Sequence, residues 1–345
     1  NMAIANLKIP GLDLQTMVGQ GAHSIVYRAV RDGVDYAVKI PRAEELDSEE
    51  RKNAFVREAA IVAQVQHEAL PRVYEVGEVD QCPYLVMEFM HGVVLASQLE
   101  GDQLAQDTVC SIALDIVRAL SKLHMANIIH RDVKPRNVIM SEEGRARLID
   151  YGISGVVDTQ NEMMVAGTFQ YAAPEQTGML ERPVDGRADL YALGVLMFEC
   201  LTGRLPFIAR EVGEMLRMHA VMQAPDVRSL REDVTDAMAL VVARLLAKDP
   251  DDRYESADSL AADLEQLAYL DAELPESGQV VLDSLDARLR TTHGVLVGRD
   301  DELESLRHHW EKGHLGQGGV GLVEGASGTG RTQLVYRHLH ELTSK

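Results

Sequence analysis

One stretch constrains this chain more than any other. "IIHRDVKPRNVIM" holds Asp132, Lys134 and Asn137 close together, and "LIDYGIS" adds Asp150 shortly afterwards. A carboxylate can orient an attacking hydroxyl and accept its proton. A cation can offset charge on a moving phosphoryl group, and a side-chain oxygen can hold a divalent metal. Any one of these residues could equally belong to a capped loop or a surface ion pair. Together, in this order, they point to phosphoryl transfer. Gly152 permits the turn that would carry Asp150.

A nucleotide site is legible upstream. "VGQGAHSIVYRAV" carries Gly19-x-Gly21-x-x-Ser24-x-Val26 between two strand-like runs. Glycines let a hairpin backbone lie close over phosphates and donate N–H groups to them. Alone, the same pattern also makes an ordinary hairpin turn. "YAVKI" then puts Lys39 within an alternating apolar strand, either as a snorkelling surface residue or as a buried cation that needs an anion. In "DSEERKNAFVREAAIVAQVQ", Phe55, Ala59, Val62 and Val65 recur at helical spacing behind an Asp47-x-x-Glu50 cap signal. That helix offers Glu58 as a partner that could hold Lys39 against nucleotide phosphates. Glu49 and Glu50 compete for the role, but they sit at the helix start, where solvated capping is the simpler use.

Periodicity divides the chain. Residues from about 12 to 90 alternate short apolar runs with turn signals, and from about 95 to 270 the long segments are helical in period. A β-rich lobe therefore precedes an α-rich lobe. The most apolar stretch, Leu190 to Leu201, is too short to span a bilayer and is flanked by Asp189 and Arg204. The formal net charge of -20 disfavours direct binding to nucleic acid or to an anionic membrane. Cys82, Cys110 and Cys200 form no CxxC pair, which fits a reducing, cytoplasmic setting.

On these motifs, residues 12–270 resemble the eukaryotic-like Ser/Thr protein kinases of bacteria. The resemblance implies an α+β, two-lobed kinase fold, ATP and Mg2+ as cofactors, and a protein Ser/Thr hydroxyl as substrate. It implies Asp132 as catalytic base, Lys134 as the γ-phosphate contact, and Asn137 and Asp150 as magnesium ligands. Lys39 and Glu58 match the family's lysine–glutamate pair. Val18, Gly19, Gly21 and Val26 match the glycine-rich loop and its flanks. Val26, Ala37 and Ile139 would sandwich adenine, a use compatible with plain core packing. In "PYLVMEFMHG", Met87 would be the gatekeeper, with Glu88 and Met90 offering hinge backbone groups. "AGTFQYAAPEQ" matches the substrate-docking region through Thr168 and Glu175, and Arg253 matches the family's partner for that glutamate.

Tyr151 departs from the family's Phe, and an aromatic of similar shape should fill the same pocket. Arg131 could clamp a phosphate on the activation segment, where Thr159 and Ser154 are the acceptors. A scaffold that binds ATP without transferring phosphate is the competing interpretation.

Residues 271–294 read as a linker. Beyond it, "EGASGTGRTQ" has the spacing of a phosphate-cradling P-loop, with Arg331 in place of Lys. Residues 295–345 resemble the start of an AAA-related signal-transduction ATPase, through Gly325, Gly330 and Thr332. His308, His309 and His314 lack the spacing of a metal site and fit a solvated helix face.

Overall fold

Two-residue turns organise the first lobe. Asp32 and Gly33 join two strands with φ of +52° and +78°, and Asp80 and Gln81 join another pair at +50° and +61°. Positive φ at both central residues matches the right-handed twist of paired strands, so each turn closes a tight antiparallel hairpin. The strands are β1 (Asp13–Gln20), β2 (Ser24–Arg31), β3 (Val34–Pro41), β4 (Val73–Val79) and β5 (Cys82–Glu88), in the sheet order β1-β2-β3-β5-β4. The computed structural model describes residues 7–150 except 22 and 100, residues 169–272 except 181, and a helical turn at 304–308.

The sheet is polar at its β1 edge and buried through β3 and β5. A four-residue helix α1 (Ala43–Leu46) precedes α2 (Glu49–Val62), which lays Phe55, Ala59 and Val62 against the core as their spacing predicts. Its N-cap is Ser48, whose hydroxyl accepts the Arg51 N–H at 3.4 Å. The helix thus starts one residue later than the Asp47 signal implies. Val65 lies past its end, half-buried against the same core.

A short sheet of β6 (Val93–Val94), β7 (Val138–Met140) and β8 (Ala146–Leu148) follows. The second lobe is otherwise helical: α3 (Gln106–Met125), α4 (Arg187–Thr202), α5 (Val212–Val221), α6 (Asp236–Leu245) and α7 (Ala257–Ala272). All of α4 is buried except Arg187 and Glu199. A helix apolar on every side is the core of its lobe, which accounts for the most apolar stretch of the sequence. Gly194 lets α4 approach α6, because a Cβ there would lie 2.6 Å from that of Leu245.

Among the described residues, no helix is long and apolar enough to cross a membrane. The chain divides into two units, Asn1–Leu282 and Asp283–Lys345. The second is described only at 304–308, where Arg307 and Glu304 pair at 3.1 Å. The P-loop stretch lies outside the described residues.

Candidate active site

The loop before β7 is built by its own side chains. Asn137 Nδ2 donates to the Asp132 backbone oxygen and to Asp132 Oδ2, both at 2.8 Å. Lys134 Nζ reaches the same Oδ2 at 2.7 Å. With its amide nitrogen spent on Asp132, Asn137 keeps Oδ1 as its acceptor. The structure therefore brings together the three residues whose spacing opened the sequence analysis. It sets the fourth within electrostatic reach, since Lys134 is one of the charges acting on Asp150.

Asp150 ends β8's excursion at φ +61°, in the left-handed region. Its Oδ1 meets Lys39 Nζ at 2.5 Å. Burial would raise the Asp150 carboxyl. The Lys39 charge and hydrogen bond, with His130 and Lys134 behind them, outweigh it and hold the group below the ordinary carboxylate value. Lys39 is itself 4% exposed along its side chain, so it is a buried cation with an anionic partner. Glu58 is half-buried on α2. The lysine is directed to Asp150.

The loop's backbone is held from below by Asp189, which in the sequence is only a charge flanking an apolar run. Asp189, 1% exposed on α4, accepts the N–H of His130 at 2.8 Å and of Arg131 at 2.7 Å. His124 Nε2 donates to it at 2.8 Å. Arg131 needs this anchor, because it sits at φ +66°. The only available signal is that Asp189 is the last charge before an uninterrupted apolar helix. His130 is fully buried, and desolvation lowers its pKa. A proton on Nε2 then satisfies both of its contacts: Nε2–H donates to Ile149 O at 3.3 Å, and Nδ1 accepts Asp132 N–H at 3.3 Å.

The nucleotide side is assembled by sheet register. Gly19 faces Val26, Val26 faces Lys39, and Ala37 faces Met87. Gly21 N–H closes on Ser24 O at 2.8 Å, and the exposed Val18 precedes it on β1. Ala37, Met87 and Met90 are buried, while Val26 and Ile139 are half-buried. Glu88 donates its N–H to Arg72 O at 2.8 Å, so this position offers acceptors rather than donors. Arg147 on β8 reaches Glu88 Oε1 and Met90 Sδ, each at 3.0 Å, and clamps the hinge side chains from the second lobe.

Behind the docking region, Glu175 and Arg253 meet as the sequence analysis expects. They form a bidentate pair at 2.6 and 2.9 Å, with both side chains at most 1% exposed. Tyr171 donates to Glu199 Oε2 at 2.5 Å. Tyr151, Ser154, Thr159 and Thr168 lie outside the described residues.

Residues 12–264 match the family described as the protein kinase domain. Over 275 residues the chain is 36% identical to a probable serine/threonine-protein kinase of Streptomyces coelicolor, covering 76% of this chain and 40% of that protein. It is 35% identical over 285 residues to the serine/threonine-protein kinase PknB of Mycolicibacterium smegmatis, covering 79% of this chain and 45% of that one. Among solved structures, the Mycobacterium tuberculosis PknI kinase domain superposes with a TM-score of 0.59 at 26% identity, covering 75% of this chain and 97% of that one. The chain thus spans less than half the length of these two curated relatives.

Proposed function

This chain belongs to the protein kinase domain family, and on that premise we propose that it is a serine/threonine protein kinase that transfers the γ-phosphoryl group of MgATP to protein hydroxyls. One observation carries the proposal: the Asp132 carboxylate is gripped by both Lys134 and Asn137 on one oxygen. That grip fixes the carboxylate's orientation and leaves Oδ1 as the oxygen that would accept the proton of an incoming hydroxyl. Lys134 would then sit beside the charge that develops on the moving group.

The donor set suits magnesium. Asn137 Oδ1 and the ionised Asp150 carboxylate are hard oxygen ligands, the kind this cation takes. Magnesium-bound ATP would supply the phosphoryl group and a dication that bridges its phosphates. Val26, Ala37 and Ile139 would hold the adenine ring, with acceptors at Glu88 and the hinge beside it. Val18, Gly19 and Gly21 would lie over the phosphates. Lys39, turned toward Asp150, would exchange that partner for the nucleotide, with Glu58 as its support.

We assign 12–270 to the kinase domain, 271–294 to a linker, and 295–345 to the start of a P-loop domain, in a cytoplasmic protein. The three cysteines are free and buried, as suits a reducing compartment.

The test compares the wild-type chain with Asp132→Asn, using labelled ATP and a generic basic protein. Transfer is expected from the wild type, with a loss of ~10²-fold or more in the variant. Equal background labelling by both would sink the proposal in favour of a scaffold that only binds nucleotide.

A further inference from the structure

Away from the nucleotide site, a half-buried amine lies on aromatic faces. Lys248, just beyond α6, has its Nζ 4.4 Å from the centre of the Phe207 ring and 5.7 Å from that of Tyr191. It donates to the Tyr191 hydroxyl at 3.4 Å, and that hydroxyl is 2.8 Å from His219 Nδ1 on α5.

The surrounding charges give the amine no anion. Arg253 stacks 4.8 Å from the same Tyr191 ring, and Glu175 is taken by both nitrogens of its guanidinium. Asp249, next in sequence, accepts from Arg182 at 2.9 Å and from the Asp251 N–H at 3.0 Å. Among the described residues, no carboxylate pairs with Lys248. Ring faces favour an ammonium. Burial acts against it, followed by the Arg253 charge, and these win: the amine is pushed down to about 8. A lysine desolvated beside another cation is a nucleophile at neutral pH.

We propose that Lys248 is a modification site, an amine that takes an acyl group from an acyl phosphate or an acyl thioester. The neutral Nζ attacks the donor's carbonyl carbon. The C–N bond forms as the C–O or C–S bond breaks, the phosphate or thiolate leaves with the bonding pair, and the amine gives one proton to water. Acylation removes a cation from the Phe207 face. Phe207 packs with Phe169 and Met215, so the change falls under the segment that leads to Glu175.

The test uses the full chain without ATP, treated separately with acetyl phosphate and acetyl-CoA from about pH 7 to about pH 9. Peptide mass spectrometry compares acetylation at Lys248 with that at the exposed Lys8 and Lys122. With at least one donor, Lys248 should react about fivefold or more faster than Lys122 near pH 7.5. Its rate should level off above pH 8. Phe207→Ala lets water reach the amine and should abolish the levelling. Should that variant fail to fold, the wild-type profile decides alone. Lys248 reacting no faster than Lys122 with either donor, or its rate still rising through pH 9, overturns the proposal.

Discussion

The Asp189 carboxylate, buried in α4, accepts the backbone N–H of Arg131 at 2.7 Å, and Arg131 holds a left-handed φ of +66°. The position of the loop that carries Asp132 is therefore set by a buried helix residue 58 positions away.

Asp189→Asn should test that dependence. An amide has one acceptor oxygen where the carboxylate has two, so at least one loop N–H loses its partner. Charge-assisted hydrogen bonds of this kind are worth about 1.5–3 kcal/mol, which is on the order of 10- to 100-fold in rate. The expected outcome is a fall of that size in kcat with the KM for ATP little changed. An unaltered kcat would show that the loop holds its shape without α4.

Arg253→Met should cost about 3–5 kcal/mol of stability, because it strands the Glu175 carboxylate in a dry site. Replacing Glu175 by Met as well should recover only part of the loss. Arg253 also serves the backbone oxygens of Ala247, Arg187 and Lys248 at 2.8, 3.1 and 3.0 Å, and neither methionine can. Urea unfolding of the single and double variants checks both parts.

His219 gives the fold an acid limit. Burial, then the Lys248 charge, pushes the ring down from 6.5 to about 4. The folded state thus prefers the neutral ring, and its contribution is whole above pH 6.5. It is lost as pH falls toward 4, by roughly 3 kcal/mol in total. Urea unfolding at about pH 7 and about pH 4.5 should show a larger acid loss in the wild type than in His219→Gln. Equal losses would remove the histidine from the account.

A chain ending near residue 275 should keep both its fold and its phosphoryl transfer. The helix α7 packs against α3 through Ser121–Asp258 at 2.6 Å and Arg118–Glu265 at 2.7 Å, and both pairs lie before that point. Unfolding by circular dichroism and a transfer assay would reveal any dependence on the remainder.

What could be read from the sequence was local. Asp132, Lys134 and Asn137 meet because five residues of loop bring them together. Arg253 and Glu175 could be paired only through a family resemblance, since 78 positions separate them. Asp189 could be read only as a charge at the head of an apolar run. Its role depends on which loop α4 passes beneath, and a charge beside an apolar run looks the same wherever the helix ends up. The Asp47 signal missed the cap by one residue because two adjacent polar side chains offer the same chemistry and only backbone geometry chooses between them. Lys39 was legible as a cation in need of an anion, but the choice of Asp150 depends on how the two lobes meet.

One backbone bond joins those lobes directly. Leu148 N–H donates to Ala69 O at 2.8 Å, tying β8 to the segment that follows α2. Arg145 adds a side-chain tie to Glu68 at 2.9 Å. The strand that delivers Asp150 is thus fastened close to the end of the helix that carries Glu58. The tie falls on the connector, seven residues beyond Val62 at the end of α2, so the strand leading to Asp150 and the helix carrying Glu58 share one anchor.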